Sequence, residues 1–520
     1  MATPKSIKYF CSLFLVSAAA FAQLPEAKVD ELVLRTMKTF DVPGIAVGII
    51  KDGKVVLAKG YGVTNINTQQ KTDANTLFGI ASNTKAFTTA ALGMLVDEGK
   101  LKWDDNVIKH IPEFRMYNDY VTAEFTIRDL LTHRSGLGLG AGDLMIWPDG
   151  HNFTPEDIIR NIRYLKPVSG FRTQYDYDNL LYVIAGEVVH RVSGMSWNDF
   201  VEQRIIKPLH MDYTATSWVR LKDTSNTIVP HVPVNRKLQV IPRYKNQIFD
   251  AAAGIYSSVN DLSNWVIMQL QNGKFEDKQL LSEKQHKEMW TPQTIMPLRN
   301  FQPYKSLFKA YGLGWQLTDI NGKLQVSHTG GLDGIVTQVI LFPEIQLGII
   351  VLTNQQSGAA FTAISNTIKD SYLGISNPDH VAALSADRKL KEEDADSITA
   401  EVWATVAKNL KDKKNNVDFV KYAGKYHDNW FGDVEITVKK GRMFFASKRS
   451  PRLSGEVFRY KGDNFVVKWN VRSFGADSHI FFRPENGKIS GFTMKAISPL
   501  TDFSYDFHDL DFTRVAEAVK

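Results

Sequence analysis

At 520 residues the chain is too long for one domain of ordinary size, and about two or three are expected. Its 62 basic and 56 acidic residues leave a formal net charge of +6. Both signs are scattered along the chain, which excludes the concentrated basic stripe of a nucleic-acid binder.

The N-terminus "MATPKSIKYFCSLFLVSAAAFAQ" has Lys5 and Lys8, an apolar run from Tyr9 to Ala20, and the tripeptide Ala20-Phe21-Ala22. That pattern predicts a secretory signal peptide over 1–22, cleaved after Ala22, and a periplasmic or secreted mature protein. The run is too short to persist as a transmembrane helix, so no stable membrane anchor is expected. The single cysteine, Cys11, falls inside the signal. The mature chain would then have no thiol, hence no disulfide and no cysteine nucleophile or cysteine metal site.

After the signal, "EAKVDELVLRTMKTF" has apolar residues at helical spacing. "GIAVGIIKDGKVVLAKGYG" reads as two strands around a Lys51-Asp52-Gly53-Lys54 turn, since Asp-Gly is a strong hairpin signal. The stretch Phe78 to Leu101 predicts a helix holding Ser82 and Lys85, and a helical, loop-rich region follows to about Leu281. Strand signals return from Tyr311 to Leu352. The most apolar part, Ile335 to Asn354, is broken by Pro343 and Glu344 and reads as two buried strands joined by a turn. "AAFTAISNTIKDSYL" predicts a closing helix. Strands, a long helical insertion, then strands again suggest one α/β domain over 23–380, its sheet collected from both ends of the chain.

A charged segment over 381–416 reads as a helical linker. From 417 to 520, runs such as "GDVEITVKKGRMFFAS" and "VFRYKGDNFVVKW" place β-formers around Gly and Asn turns. They predict a small antiparallel barrel or sandwich.

The chemistry centres on Ser82 and Lys85, three residues apart. On a helix that spacing puts both side chains on one face, with Cβ atoms roughly 5–6 Å apart. Burial and a helix N-terminus both disfavour the ammonium form of a lysine, so a buried first-turn lysine can activate a neighbouring serine. Two common residues at this spacing recur by chance, and the pair alone is a weak signal. The histidines show no metal-ligand spacing such as HExxH, and neither metal nor other cofactor is expected.

The wider sequence sharpens the signal. "FGIASNTKAFTTAALGMLVDEGKLKWDDNVIKHIPEF", "TIRDLLTHRSGL", "YDYDNLLYVIAGEVV", "AAGIYSSVNDLSNW", "YGLGW" and "HTGGLDGIV" occur in this order. Together they resemble the serine β-lactamase and penicillin-binding protein superfamily, specifically its class C-like serine hydrolases. The resemblance covers nearly all of residues 30–375. It implies a three-layer α/β sandwich of a mainly antiparallel sheet with helices. The tail resembles the small lipocalin-like β-barrel appended to some of these hydrolases, which would cover the active-site entrance, mediate assembly, or merely stabilise the chain.

Carried over position by position, the resemblance implies Ser82 as nucleophile, Lys85 as its helical partner and Tyr177 as proton relay. Asn179 would bond Lys85 or a substrate amide. Proximity to a cationic lysine is expected to lower the Tyr177 pKa. The usual Lys-Thr-Gly of the third motif is here His328-Thr329-Gly330. A histidine is mostly neutral at pH 7, which weakens the case for carboxylate recognition. Gly330 and Gly331 are expected to let substrate approach the strand closely, and the N–H groups of Ser82 and Gly331 would form the oxyanion hole. His133 fits a structural role at a turn. The implied function is an exported serine hydrolase acting through an acyl-enzyme on an amide or ester, a peptide in first place, one containing D-amino acids included. β-Lactam or carboxyl-ester hydrolysis are the alternatives, with a sensor that stays acylated as the rival of another class. The implied partner is a peptide or small-molecule substrate, and the sequence does not set an oligomeric state.

Overall fold

The computed structural model describes residues 24–298, 303–376, 378–412 and 417–516. The expected signal peptide lies outside these residues. Helix α1 (Glu26–Phe40) leads into strands β1 (Gly44–Lys51) and β2 (Lys54–Gly62). The turn between them places Asp52 and Gly53 at positive φ and pairs Lys51 with Lys54, as the Asp-Gly signal requires. Helices α2 (Thr84–Asp97), α3 (Leu180–Ser193) and α4 (Val259–Leu270) belong to the long insertion.

The chain then returns through β3 (Thr294–Ile295), β4 (Lys309–Tyr311), β5 (Gln316–Ile320), β6 (Lys323–Leu332), β7 (Ile335–Phe342) and β8 (Leu347–Thr353). These complete an antiparallel sheet of order β2-β1-β8-β7-β6-β5-β4-β3. The first hairpin docks by pairing β1 with β8, Val47 opposite Val351.

Alternation along the central strands assigns each face. Ile45, Val47, Ile49, Ile340, Ile349 and Val351 pack under α1 and α5 (Gly358–Leu373). Ala46, Ile50, Val339, Leu341, Ile350 and Leu352 belong to the core on the opposite side, where α4 packs. Successive side chains leave a strand on opposite faces, so one apolar run serves both layers. The result is helices, sheet, helices.

Helix α6 (His380–Lys411), 32 residues long, carries the chain to the C-terminal unit. Its charged pairs at i,i+4, such as Arg388–Glu392 and Lys391–Asp387, face solvent. Strands β9 (Gly424–Asp428), β10 (Gly432–Lys439), β11 (Arg442–Ser447), β12 (Ser454–Lys461), β13 (Asn464–Trp469), β14 (Ser478–Glu485), β15 (Lys488–Ala496) and β16 (Asp511–Arg514) form a closed barrel in sequence order. Its inward side chains include Tyr426, Phe445, Phe465, Trp469, Phe482, Phe492 and Phe512, all buried. The rings contact one another edge to face, for example Phe465 with Phe482 at 5.4 Å and 88°. Aromatics thus give this barrel a packed core of its own.

The barrel is docked on the helical region. Arg449 reaches Asp157 at 2.5 Å, bonds Asn152 and stacks over Phe153 at 3.9 Å. The long connection between β15 and β16 projects back toward the first domain. There the Asp506 carboxylate accepts the backbone N–H groups of Gly142 (2.6 Å) and Leu144 (3.0 Å).

Candidate active site

Ser82 lies just before α2, in a short 3-10 turn of Ala81–Asn83, not within the α-helix the sequence suggests. Ala81 has φ of +51°, a left-handed conformation costly for a residue with a Cβ. This bend turns the chain from Phe78–Gly79 into the helix and lifts Ser82 onto its rim. The turn is held from the sheet, where Thr337 on β7 bonds Ile80 O at 2.9 Å and accepts from Asn83 at the same distance.

Lys85 is fully buried in the first turn of α2. Its Nζ lies 3.1 Å from Ser82 Oγ, 2.7 Å from Asn179 Oδ1 and 3.2 Å from the Ala252 carbonyl. The last two atoms are pure acceptors and take the two N–H bonds of a neutral amine. Its lone pair is then left for the Ser82 hydroxyl. Burial pushes the Lys85 pKa down to about 7, against the opposing pull of the Asp143 and Asp178 carboxylates. A substantial neutral fraction is therefore present at neutral pH.

Tyr177 and Asn179 sit at the entry to α3. The Tyr177 ring is 4.8 Å from Lys85 Nζ. Contrary to the expected lowering, burial raises the Tyr177 pKa well above the ordinary phenol range, although its hydrogen bond with Ser82 pulls it down. Desolvation of a phenolate outweighs that hydrogen bond, so Tyr177 keeps its proton. Asn179 faces Lys85 through Oδ1 because its Nδ2 donates to Asp143 Oδ2 at 2.8 Å. Tyr182 is the fully buried structural ring, bonded to the Leu131 carbonyl, whereas Tyr175 lines the pocket. His133 has positive φ and accepts the Asp178 N–H at 3.1 Å, a turn-stabilising contact.

The third motif occupies the end of β6. His328 is buried, with Nδ1 2.6 Å from the Thr329 carbonyl and Nε2 2.9 Å from Tyr311 Oη. The carbonyl can only accept, so the proton sits on Nδ1 and Nε2 receives the Tyr311 hydroxyl. Burial first, then the Lys85 charge, lowers its pKa to about 3, and the ring is neutral.

Gly330 departs from expectation. A Cβ there would lie 2.2 Å from the Ile80 carbonyl and 2.9 Å from Ala81 Cβ. The close approach is to the protein's own turn carrying Ser82, not to substrate. At Gly331 a Cβ would meet nothing within 4 Å, and this glycine faces open pocket. Leu332 and Ile335 close a two-residue hairpin as a bonded pair, so Gly331, opposite Val336, directs its N–H away from β7. β5 ends its pairing at Gln316 opposite Ser327, leaving that N–H outside the ladder.

These residues meet in one cavity of about 400 Å³, lined by Ser82, Tyr177, Asn179, His328, Thr329, Gly330 and Gly331. Ile146, Trp147, Phe249, Leu332, Val336 and Phe361 make much of its wall apolar, and among the described residues no lysine or arginine lines it. The remaining wall comes from the barrel. Asp502, Phe503 and Ser504, on the connection between β15 and β16, line the same cavity. Phe503 stands edge-on to Tyr177 at 5.8 Å, and Ser504 Oγ donates to Asp143 Oδ2 at 2.9 Å. Sequence reasoning missed Asp143, Phe503 and Ser504. Asp143 lies in a Gly-rich loop without periodicity, and the other two are more than 300 positions from Tyr177.

A family model described as Beta-lactamase matches residues 29–372. The chain belongs to the beta-lactamase family. A second model, the domain of unknown function DUF3471, matches residues 411–514 and coincides with the barrel.

Relatives of this beta-lactamase-family chain include named hydrolases. It is 29% identical over 361 residues to unguisins hydrolase ungD′ of Aspergillus campestris, covering 66% of this chain and 65% of the relative. It is 26% identical over 438 residues to unguisins hydrolase ungD of Aspergillus violaceofuscus, covering 78% and 75%. Protein flp of Staphylococcus aureus (strain N315) is 30% identical over 344 residues, 64% of each chain. The chain thus spans just under two thirds of the length of the first and third of these. Among solved structures, the octameric penicillin-binding protein homologue from Pyrococcus abyssi superposes with a TM-score of 0.61 at 22% identity, over 94% of this chain and 99% of that one. That likeness extends the shared fold through the barrel.

Proposed function

We propose that this chain is an exported serine hydrolase that forms an acyl-enzyme at Ser82 and cleaves uncharged amide bonds, those of peptides foremost. The carrying observation is the Lys85 Nζ, sealed from solvent 3.1 Å from Ser82 Oγ with both its N–H bonds engaged elsewhere. Lys85 takes the Ser82 proton as Oγ attacks the carbonyl carbon. The N–H groups of Ser82 and Gly331 hold the oxyanion, a contribution of about 3–4 kcal/mol per donor in comparable sites. Tyr177 gives its proton to the departing nitrogen and is reprotonated from Lys85. Water then attacks the acyl carbon, Ser82 Oγ leaves, and free enzyme returns.

Two features support amides over esters and β-lactams. Tyr177 retains its proton, which an amine leaving group needs and an activated phenolate does not. Much of the cavity wall is apolar and among the described residues no lysine or arginine lines it, which disfavours substrates recognised through a carboxylate. The names of the two Aspergillus relatives support hydrolysis as the chemistry. The signal-like N-terminus supports export.

The test pairs an amino-acid p-nitroanilide with the matching p-nitrophenyl ester, using wild type and Tyr177→Phe. The reading expects the anilide rate to fall at least tenfold further than the ester rate, on the scale of general-acid catalysis. Equal losses would remove Tyr177 from leaving-group protonation.

A further inference from the structure

The Asp143 carboxylate is buried behind the catalytic groups, out of reach of substrate. Its Oδ2 receives Asn179 Nδ2 at 2.8 Å and Ser504 Oγ at 2.9 Å, and its Oδ1 has no hydrogen-bond partner among the described residues. Asn179 in turn presents Oδ1 to Lys85 Nζ at 2.7 Å. A chain of side chains therefore runs Ser504, Asp143, Asn179, Lys85, Ser82. Its first member belongs to the C-terminal barrel and the other four to the first domain. The contact is anchored from both sides, because Asp506 accepts the N–H groups of Gly142 and Leu144, the neighbours of Asp143.

We propose that Ser504 and Asp143 are positioning residues, through which the barrel sets the orientation of Asn179 and the proton affinity of the base Lys85. The inference rests on the acyl-enzyme reading above. A carboxylate at Asp143 fixes the Asn179 amide with its oxygen toward Lys85. Burial first of all pushes the Asp143 acid well above the ordinary carboxylate range, and the hydrogen bonds from Asn179 and Ser504 oppose that by favouring the anion. In its anionic form Asp143 favours the ammonium form of Lys85. Other groups face Asp143 too. Asp178 precedes α3, Asp506 comes from the barrel connection, and the phenols of Tyr177 and Tyr244 lie near it. Burial and the two acids oppose its ionisation, while the Asn179 amide, the barrel's Ser504 hydroxyl and the Lys85 charge support it.

Without Ser504 the Asp143 anion is disfavoured, the Lys85 ammonium loses support, and neutral Lys85 persists to lower pH. The experiment records kcat/KM against pH for a neutral p-nitrophenyl ester of a short apolar acid. Full-length wild type, Ser504→Ala, Ser504→Thr, Asp143→Asn and the Asp143→Asn/Ser504→Ala double variant are compared. The acid limb should move down by about half a pH unit in Ser504→Ala and return in Ser504→Thr. It should move further in Asp143→Asn, and Ser504→Ala should add nothing in that background. An unmoved limb with a uniform loss of kcat/KM would overturn the inference, and so would additive shifts. If Asp143→Asn does not fold, the Ser504→Ala and Ser504→Thr pair decides alone. Wild type without turnover would overturn the hydrolase reading and this inference with it. Turnover with an unmoved limb would overturn this inference only.

Discussion

Lys85 Nζ stands 3.1 Å from Ser82 Oγ at a site where the lysine has no solvent contact. Desolvation holds its pKa at about 7, far from the ordinary lysine value. The group must be neutral to accept the Ser82 proton, so activity should be lost as pH falls. We expect kcat/KM to decline about tenfold per unit below pH 7, where each unit of pH removes tenfold of the base form. Lys85→Met should lower the acylation rate by about 10² to 10⁴, the range of general-base contributions. A pH-independent residual rate in Lys85→Met, with the fold intact by circular dichroism, would check both statements.

The two glycines at the end of β6 should respond in opposite ways. Gly330→Ala drives a methyl into the Ile80 carbonyl at 2.2 Å, which is backbone and cannot swing aside. It should destabilise the protein by about 2–3 kcal/mol, as overpacking does, and displace Ser82. Gly331→Ala meets nothing within 4 Å and should leave stability unchanged within about 0.5 kcal/mol. Its methyl would occupy the pocket and raise KM. Denaturant melts and steady-state kinetics on the two variants measure the contrast.

His328 carries no charge at neutral pH and is bonded between Tyr311 and the Thr329 carbonyl. His328→Lys would place a cation in a cavity wall that, among the described residues, no lysine or arginine lines. We expect kcat/KM for a carboxylate-bearing substrate to rise relative to its neutral ester by about tenfold, a typical gain for one charged hydrogen bond. Proportionate changes in both rates would show that charge at this position does not select substrate.

Arg449 is one of the polar ties between barrel and helical region, through Asp157, Asn152 and the Phe153 ring. Both charged groups are largely shielded, so Arg449→Ala should cost about 1–3 kcal/mol. The loss should appear as earlier proteolytic cleavage at the barrel junction and as raised KM, because the Phe503 wall would loosen. The barrel core, built from its own aromatics, should keep its near-ultraviolet signature.

Much of this site was legible because local signals agreed with one another. The Asp52-Gly53 turn, the break at Pro343-Glu344 and the alternating runs after residue 417 each encode their structure within a few residues. Ser82, Lys85, Tyr177 and His328 were marked by the resemblance of short motifs to those of a known family, the spacing of Ser82 and Lys85 alone being a weak signal. What was hidden depends on contacts between distant segments. The bend at Ala81 is imposed by Thr337 on the sheet, which propensity in "FGIASNTK" does not reveal. The Tyr177 proton affinity follows burial, which outweighs the nearby charge and hydrogen bond. The Asp143–Ser504 contact joins residues 361 positions apart, with no periodic pattern at either end.

Intact-mass spectrometry over time on the protein mixed with a penicillin, a p-nitrophenyl ester and a D-amino-acid amide tests turnover at Ser82 most directly. Ser82→Ala is followed in parallel. The expected result is a transient adduct of acyl mass on wild type only, with product released and free enzyme regenerated, and no lasting adduct from the penicillin. A permanent adduct on Ser82 would contradict turnover and make the chain an acylated sensor. An adduct equally present on Ser82→Ala would contradict the assignment of the nucleophile itself.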